Sequence, residues 1–349
     1  FKKNQIILQC IHNHCPTKMK TTTNLPDCGS DPIASLKNMF VDRTQMTRVL
    51  AGQCPVHRAV FLKPHGVVKA TFTIEPNLDE SLKVGIFKGT SYDAWVRFSS
   101  DTVPGNPDLK TTLGIGIKQF GVTGEKLLEA DQHAPTADFI LQNHDVFFVD
   151  TAKDMCEFTY AGVINHDYDS YLDKHPITNQ ILDDMAKTVA SVAVSDYWSG
   201  LPYHFGDRYV KYKLSPVDPA PAPAIPSNNP DYLYDELKQR LLNGDVTFRF
   251  FIQLRTNDAT MPIDAATVRW SETESEPIAV ATLTLHQQNT DTPGQEAYGE
   301  NLAYNPWHTI EAHKPAGSIS DARKVVYQAS ADLRRSRNGV PACEPTHAR

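Results

Sequence analysis

A chain of 349 residues, 40% hydrophobic and 21% charged, has enough apolar material for one large core or two modest domains. Its net charge of −7 argues against a nucleic-acid binder with a general basic face. No apolar run approaches the roughly 20 residues of a membrane-spanning helix.

Residues 1–50 read as a polar lead-in arm with one short helix near Ile33–Met39. Six cysteines occur, Cys10, Cys15, Cys28, Cys54, Cys156 and Cys343, with no Cys-x-x-Cys pair. Cys10 and Cys15, with His12 and His14 between them, lack finger-like metal spacing. The first eighteen residues do not follow the order of a secretory signal, and Met19 is a candidate start. The expectation is an intracellular protein with reduced thiols.

From Gly66 the pattern becomes strand-like. Val67–Ile74, Lys83–Phe87, Ala94–Ser99, Gly114–Phe120 and Phe139–Val149 are apolar or alternating runs, separated by turn clusters such as Pro104-Gly105-Asn106-Pro107. Residues 177–195 read as a helix. The six prolines between 216 and 230 predict an extended surface connection, not a domain break. Tyr232–Asn243 predicts a helix with Leu233, Leu237 and Leu241 on one face and Gly244 as its stop. Val246–Leu254 and Ile278–Leu285 alternate as strands, and Ser320–Arg337 returns to helix. This order predicts an α+β fold built round an antiparallel β-barrel. Its boundaries are an arm over 1–50, one domain over 51–340 and a tail over 341–349.

The last helix carries the most informative spacing. Tyr327 lies four residues after Arg323, and Arg334 seven after Tyr327, so all three share one helix face. An isolated phenol ionises at about pH 10, and a guanidinium one turn away favours its ionised form. Such a phenolate is the kind of axial ligand that holds ferric haem.

Other segments point the same way. Ala94-Trp95-Val96-Arg97-Phe98-Ser99, Gly114-Ile115-Gly116-Ile117-Lys118 and Gln142-Asn143-His144-Asp145-Val146-Phe147-Phe148 occur in this order. Asn305-Pro306-Trp307-His308 follows, then Arg323 and Tyr327. The series resembles the barrel core of haem catalases, and more closely the short, single-domain catalase-related haem proteins. That branch includes small peroxidases and allene oxide synthases, and Pro262-Ile263-Asp264 also fits it. The resemblance covers roughly residues 55–340 and implies haem b with Tyr327 as the axial iron ligand and Arg323 behind it. It places Arg58, Arg97 and Arg334 at the propionates, Val60 beside the haem face and Ser99 on the distal side. A homodimer or tetramer is implied by analogy.

The resemblance breaks at one position. Catalases place a histidine three residues after the arginine that here is Arg58, and this chain has Phe61 there. Phenylalanine moves no proton, and a positioned general base is worth roughly a hundred- to ten-thousand-fold in rate. His65, four residues further on, is the candidate substitute, and His57 a lesser one. Gln142 and Asn143 compete as the distal amide, because strand neighbours face opposite sides. Asn143 has the shorter, better-ordered side chain. Three functions follow: transformation of organic, fatty-acid-like hydroperoxides or peroxide-driven oxidation of a small apolar substrate, a weak catalase or peroxidase using His65, and a non-catalytic haem-binding protein.

Overall fold

The computed structural model describes residues 26–349. The Cys10–Cys15 segment with His12 and His14, and Met19, lie outside them. Among the described residues, nine strands form one antiparallel sheet: β1 (Lys63–Ile74), β2 (Ser91–Ser100), β3 (Leu113–Phe120), β4 (Thr136–Gln142), β5 (Tyr197–Trp198), β6 (Tyr203–Phe205), β7 (Arg208–Pro216), β8 (Val246–Leu254) and β9 (Ile278–Leu285). Their order is β5-β4-β3-β2-β1-β9-β8-β7-β6, and β5 also pairs with β7. That pairing closes eight strands into a barrel and leaves β6 as a flap on β7.

Strand alternation sorts the side chains into two sets. Ala94, Val96 and Phe98 of β2 and Leu113, Ile115 and Ile117 of β3 join the barrel core. There they meet a cluster of rings in which Phe139 and Phe250 lie 4.9 Å apart and Phe72 and Phe250 5.1 Å. The alternate residues face outward in cross-strand rows, Ser99–Gly114–Gln142, Arg97–Gly116–Ile140 and Trp95–Lys118–Asp138. β3 is buried along its whole length, because this outer face is covered too.

The helices are α1 (Pro32–Lys37), α2 (Met46–Leu50), α3 (Ala152–Val163), α4 (Asp169–Leu172), α5 (Pro176–Met185), α6 (Tyr232–Asn243), α7 (Gln295–Asn301) and α8 (Ser318–Asn338). A π-helical stretch, Asn38–Gln45, joins α1 to α2. Helix therefore runs from Pro32 to Leu50, well beyond the short helix expected near Ile33–Met39. Asp31 caps it through Ala34 N at 2.9 Å, with Pro32 at the first position.

Other differences are local. Lys83–Phe87 is not a strand: two 3₁₀ turns, Glu80–Leu82 and Gly85–Lys88, replace it, and Gly85 adopts φ 53°. The expected strand Phe139–Val149 ends at Gln142, and the helix expected over 177–195 ends at Met185.

The thiols also differ from expectation. Cys28 and Cys156 form a disulfide with Cα atoms 5.6 Å apart, tying the segment before α1 to α3, and Cys54 is disulfide-bonded as well. Cys343 is free and exposed. Spacing alone hides the pair, because 128 residues separate its members. Leu36, Met39 and Ala322 pack round Cys156, so the bond joins the arm to α8 as well. Replacing both Cys28 and Cys156 with serine is expected to cost about 2–5 kcal/mol of unfolding free energy in a denaturant titration. A loss below about 1 kcal/mol would mean that packing alone holds the arm.

Candidate active site

α8 is fixed at its start by a residue far away in sequence. Asp264 Oδ1 accepts from Ser318 N at 2.9 Å and from Ser318 Oγ at 2.6 Å, capping the first turn. Gly317 precedes it at φ 88°, where a Cβ would stand 3.0 Å from Ile263 O, so only glycine fits. The Pro262-Ile263-Asp264 stretch thus sets the position of α8. Trp307 Nε1 also donates to Ser320 O at 2.6 Å.

One turn into α8, Arg323 Nη2 donates to Tyr327 Oη at 3.3 Å, and the guanidinium lies 5.1 Å from the ring centre. Burial opposes the Arg323 charge, but Tyr327 and Tyr203 raise its pKa above the ordinary arginine value. Tyr203 was not singled out from the sequence. It sits on β6, and its buried phenol lies against the same guanidinium, which opposes the upward push of burial. Only the fold brings it there, since it lies far from Arg323 along the chain.

Arg58, Arg97 and Arg334 come together from three different segments. They meet at Glu300, which is not among the expected site residues. Arg58 Nη1 lies 2.6 Å from Glu300 Oε1 and Arg97 Nη2 3.5 Å from Oε2. Arg334 Nη1 donates to the Glu300 carbonyl. Burial acts to raise the Glu300 pKa, but Arg58 and Arg97 outweigh it and hold the carboxyl well below its usual range. Burial and the neighbouring Arg58 together pull Arg97 down to about 10.

Phe61 takes φ 52°, unusual for a non-glycine residue, and its ring lies on Gly114, where a Cβ would stand 2.9 Å away. Its carbonyl accepts from Arg97 Nη2 at 3.1 Å. Ser99 and Gln142 are the cross-strand partners of Gly114, so all three share the face that Phe61 covers. Tyr304 covers Gly116 in the same way. Val60 is 41% exposed, an uncovered apolar side chain beside Phe61.

His65 lies elsewhere. Its Nε2 is 2.9 Å from Ser100 Oγ and its Nδ1 3.7 Å from Asp108 Oδ1. Ser100 alternates with Ser99, so His65 stands on the opposite side of the sheet from the row that Phe61 covers. Burial, Lys63 and Arg97 push its pKa down to about 3. A serine, a histidine and an aspartate in line resemble a hydrolytic triad, but His65 and Ser100 are fully buried. The His65 ring is a neutral clamp between strand and loop. His57 faces Glu300 at 3.6 Å.

The two amides are both engaged. Gln142 Nε2 donates to Val146 O at 2.8 Å and to His144 O at 3.3 Å. Asn143 Oδ1 accepts from Leu113 N at 2.8 Å, while its buried Nδ2 has no hydrogen-bond acceptor among the described residues. A separate pocket of about 680 Å³ lies between the proline-rich connection and α6, and none of the predicted site residues lines it.

These residues fit a porphyrin with two carboxylates. Among the described residues the buried Nε atoms of Arg97 and Arg334 lack acceptors, and two guanidiniums share the Glu300 carboxylate while a third holds its carbonyl. Glycines at 114 and 116 make room for the rings of Phe61 and Tyr304, and the Arg323–Tyr327 pair offers an oxygen donor suited to ferric iron.

A closed antiparallel barrel wrapped by helices defines a catalase-like fold. The same fold occurs in a bacterial catalase (TM-score 0.64, 17% identity, 84% of this chain and 59% of that one). It recurs in a fungal catalase (0.62, 19%, 84% and 61%) and in catalase A of Saccharomyces cerevisiae (0.62, 19%, 84% and 63%). The chain spans about three fifths of the length of these catalases. A catalase-related peroxidase of Mycolicibacterium paratuberculosis is 25% identical over 306 residues, 82% of this chain and 88% of that protein. No family model matches. The chain has the catalase-like fold.

Proposed function

We propose that this chain is a haem enzyme that turns over organic hydroperoxides, or uses peroxide to oxidise a small apolar substrate. The observation that carries this reading is the 3.3 Å contact between Arg323 Nη2 and Tyr327 Oη. Tyr327 would hold the iron of haem b, and Arg323 would keep its phenol ionised. Arg58, Arg97 and Arg334 would hold the two carboxylates. Ferric haem with a phenolate ligand supplies the cleavage of peroxide O–O bonds.

The protein's own residues favour an apolar substrate. Phe61 and Val60 offer hydrocarbon where a catalase has its proton-moving histidine. Of the two amides, Gln142 shares the face that Phe61 covers, and Asn143 lies opposite the core residue Leu113. His65 is neutral, held by Ser100, and faces away from Phe61, so geometry gives no support to a weak catalase based on it. The haem-loaded chain is expected to turn over a fatty-acid hydroperoxide faster than hydrogen peroxide under stopped-flow conditions. Faster turnover of hydrogen peroxide would contradict this reading. No turnover across a panel of peroxides would leave a haem-binding protein without catalysis.

A further inference from the structure

Glu300 brings a protein carboxylate to the arginines that the proposed function reserves for the carboxylates of a cofactor. Its neighbours hold it in two separable ways. The main chain of α7 and the turn after it is fixed on its own: Gln295 Nε2 donates to Val67 O at 2.7 Å, and Gly299 lies so close to β1 that a Cβ would come within 2.3 Å of Val67. Arg58 Nη2 holds the Leu302 carbonyl at 2.6 Å, and Arg334 Nη2 holds the same oxygen at 3.1 Å. The carboxylate contributes only the contacts to Arg58 and Arg97 and the longer one to His57. Its side chain is 15% exposed, whereas that of Arg97 is 5% exposed. Arg58 is 14% exposed, so Glu300 and Arg58 share an edge to water that Arg97 lacks, and the carboxylate can leave without moving the backbone.

The charges explain why such a group is useful. Three guanidiniums packed together repel one another, and burial sharpens the repulsion. One carboxylate relieves part of it and leaves two positive charges in excess. A porphyrin bringing two carboxylates would compete with Glu300 for the same donors.

We propose that Glu300 is a resident placeholder that keeps Arg58 and Arg97 in position before the cofactor arrives and then swings out to solvent as the propionates bind. This inference rests on the haem reading of the site. It makes Glu300 a brake on cofactor affinity and a brace for the empty chain, two effects that substitution separates.

The test uses the full cofactor-free chain, wild type and Glu300→Gln, titrated with ferric haem and with haem dimethyl ester, whose carboxylates are blocked. Thermal unfolding of the cofactor-free forms is measured alongside. Glu300→Gln is expected to bind haem roughly tenfold more tightly than wild type, because a competing charge is gone. Its cofactor-free form is expected to unfold at a lower temperature, and the ester is expected to bind both forms alike. Unchanged or weaker haem binding by Glu300→Gln, or an equal gain for the ester, would overturn the inference. If Glu300→Gln does not fold, Glu300→Asp draws the carboxylate back from both arginines; it too must tighten haem binding, and unchanged affinity overturns the inference. A wild-type chain that takes up no haem brings down the functional reading and this inference together. Uptake by wild type without the gain brings down this inference alone.

Discussion

Tyr327→Phe is expected to abolish saturable haem binding while leaving the barrel folded. The substitution keeps the ring beneath the Arg323 guanidinium, at a centroid distance of 5.1 Å in the native chain, and removes only the hydroxyl. The lost hydrogen bond is long and half-buried, so the cofactor-free protein should lose no more than about 1 kcal/mol. Nothing replaces the lost ligand, because phenylalanine has no donor atom. Wild type should gain a sharp Soret band and a higher unfolding temperature on adding haem, since a ligand that binds only the folded state stabilises it. Tyr327→Phe should gain neither. A variant that keeps a 1:1 Soret change of wild-type strength would show that another residue holds the iron.

The second large effect concerns stability. Lys118 is fully buried on the outer face of β3, with Nζ 2.7 Å from Asp138 Oδ1 and 2.5 Å from Glu344 Oε2. Arg335 Nη2 reaches Glu344 Oε1 at 3.0 Å, and Asp138 Oδ2 accepts from Asn305 N at 2.9 Å. The C-terminal segment is therefore anchored through Glu344 beneath the helix that carries Tyr327. Burial raises the pKa of Asp138, and Lys118 opposes that rise. Burial acts the same way on Glu344, but Lys118, His308 and Arg335 outweigh it and hold the carboxyl below its ordinary value.

Lys118→Met keeps the length and removes the charge, leaving two buried carboxylates short of a partner. The expected loss is about 3–5 kcal/mol, the usual cost of breaking a buried pair from one side. The pH dependence has a definite sign. Without Lys118, the folded-state pKa of Asp138 rises further above its unfolded value. The folded variant then binds a proton that the unfolded chain releases, so its stability should increase as pH falls from 8 towards 5. Urea titrations at the two pH values check this. A Lys118→Met variant equally stable at both, and close to wild type, would mean that the carboxylates are already neutral in the native protein.

The sequence revealed parts of the fold in proportion to how local their signals are. α6, β8 and β9 have the bounds expected from sequence, because Leu233, Leu237 and Leu241 repeat every turn and the strands alternate cleanly. β5 is two residues long, and its place in the barrel depends on pairing with β4 and β7. α3 escaped notice because its buried face, Ala152, Cys156, Thr159 and Ala161, is built of small and polar residues. The candidate site divides the same way. Arg323 and Tyr327 are legible from their spacing on one helix. Glu300 and Tyr203 are not, because a close helix–strand contact at Gly299 and the β6 flap deliver them. The disulfide between Cys28 and Cys156 is likewise a fact of three-dimensional packing.

The proposed function requires Tyr327 to hold a ferric porphyrin. The most direct measurement is a titration of the cofactor-free chain with ferric haem, followed by Soret absorbance. It should saturate at one haem per chain and give a ferric-phenolate spectrum. An absorbance that rises linearly, with the spectrum of free haem, would contradict the account.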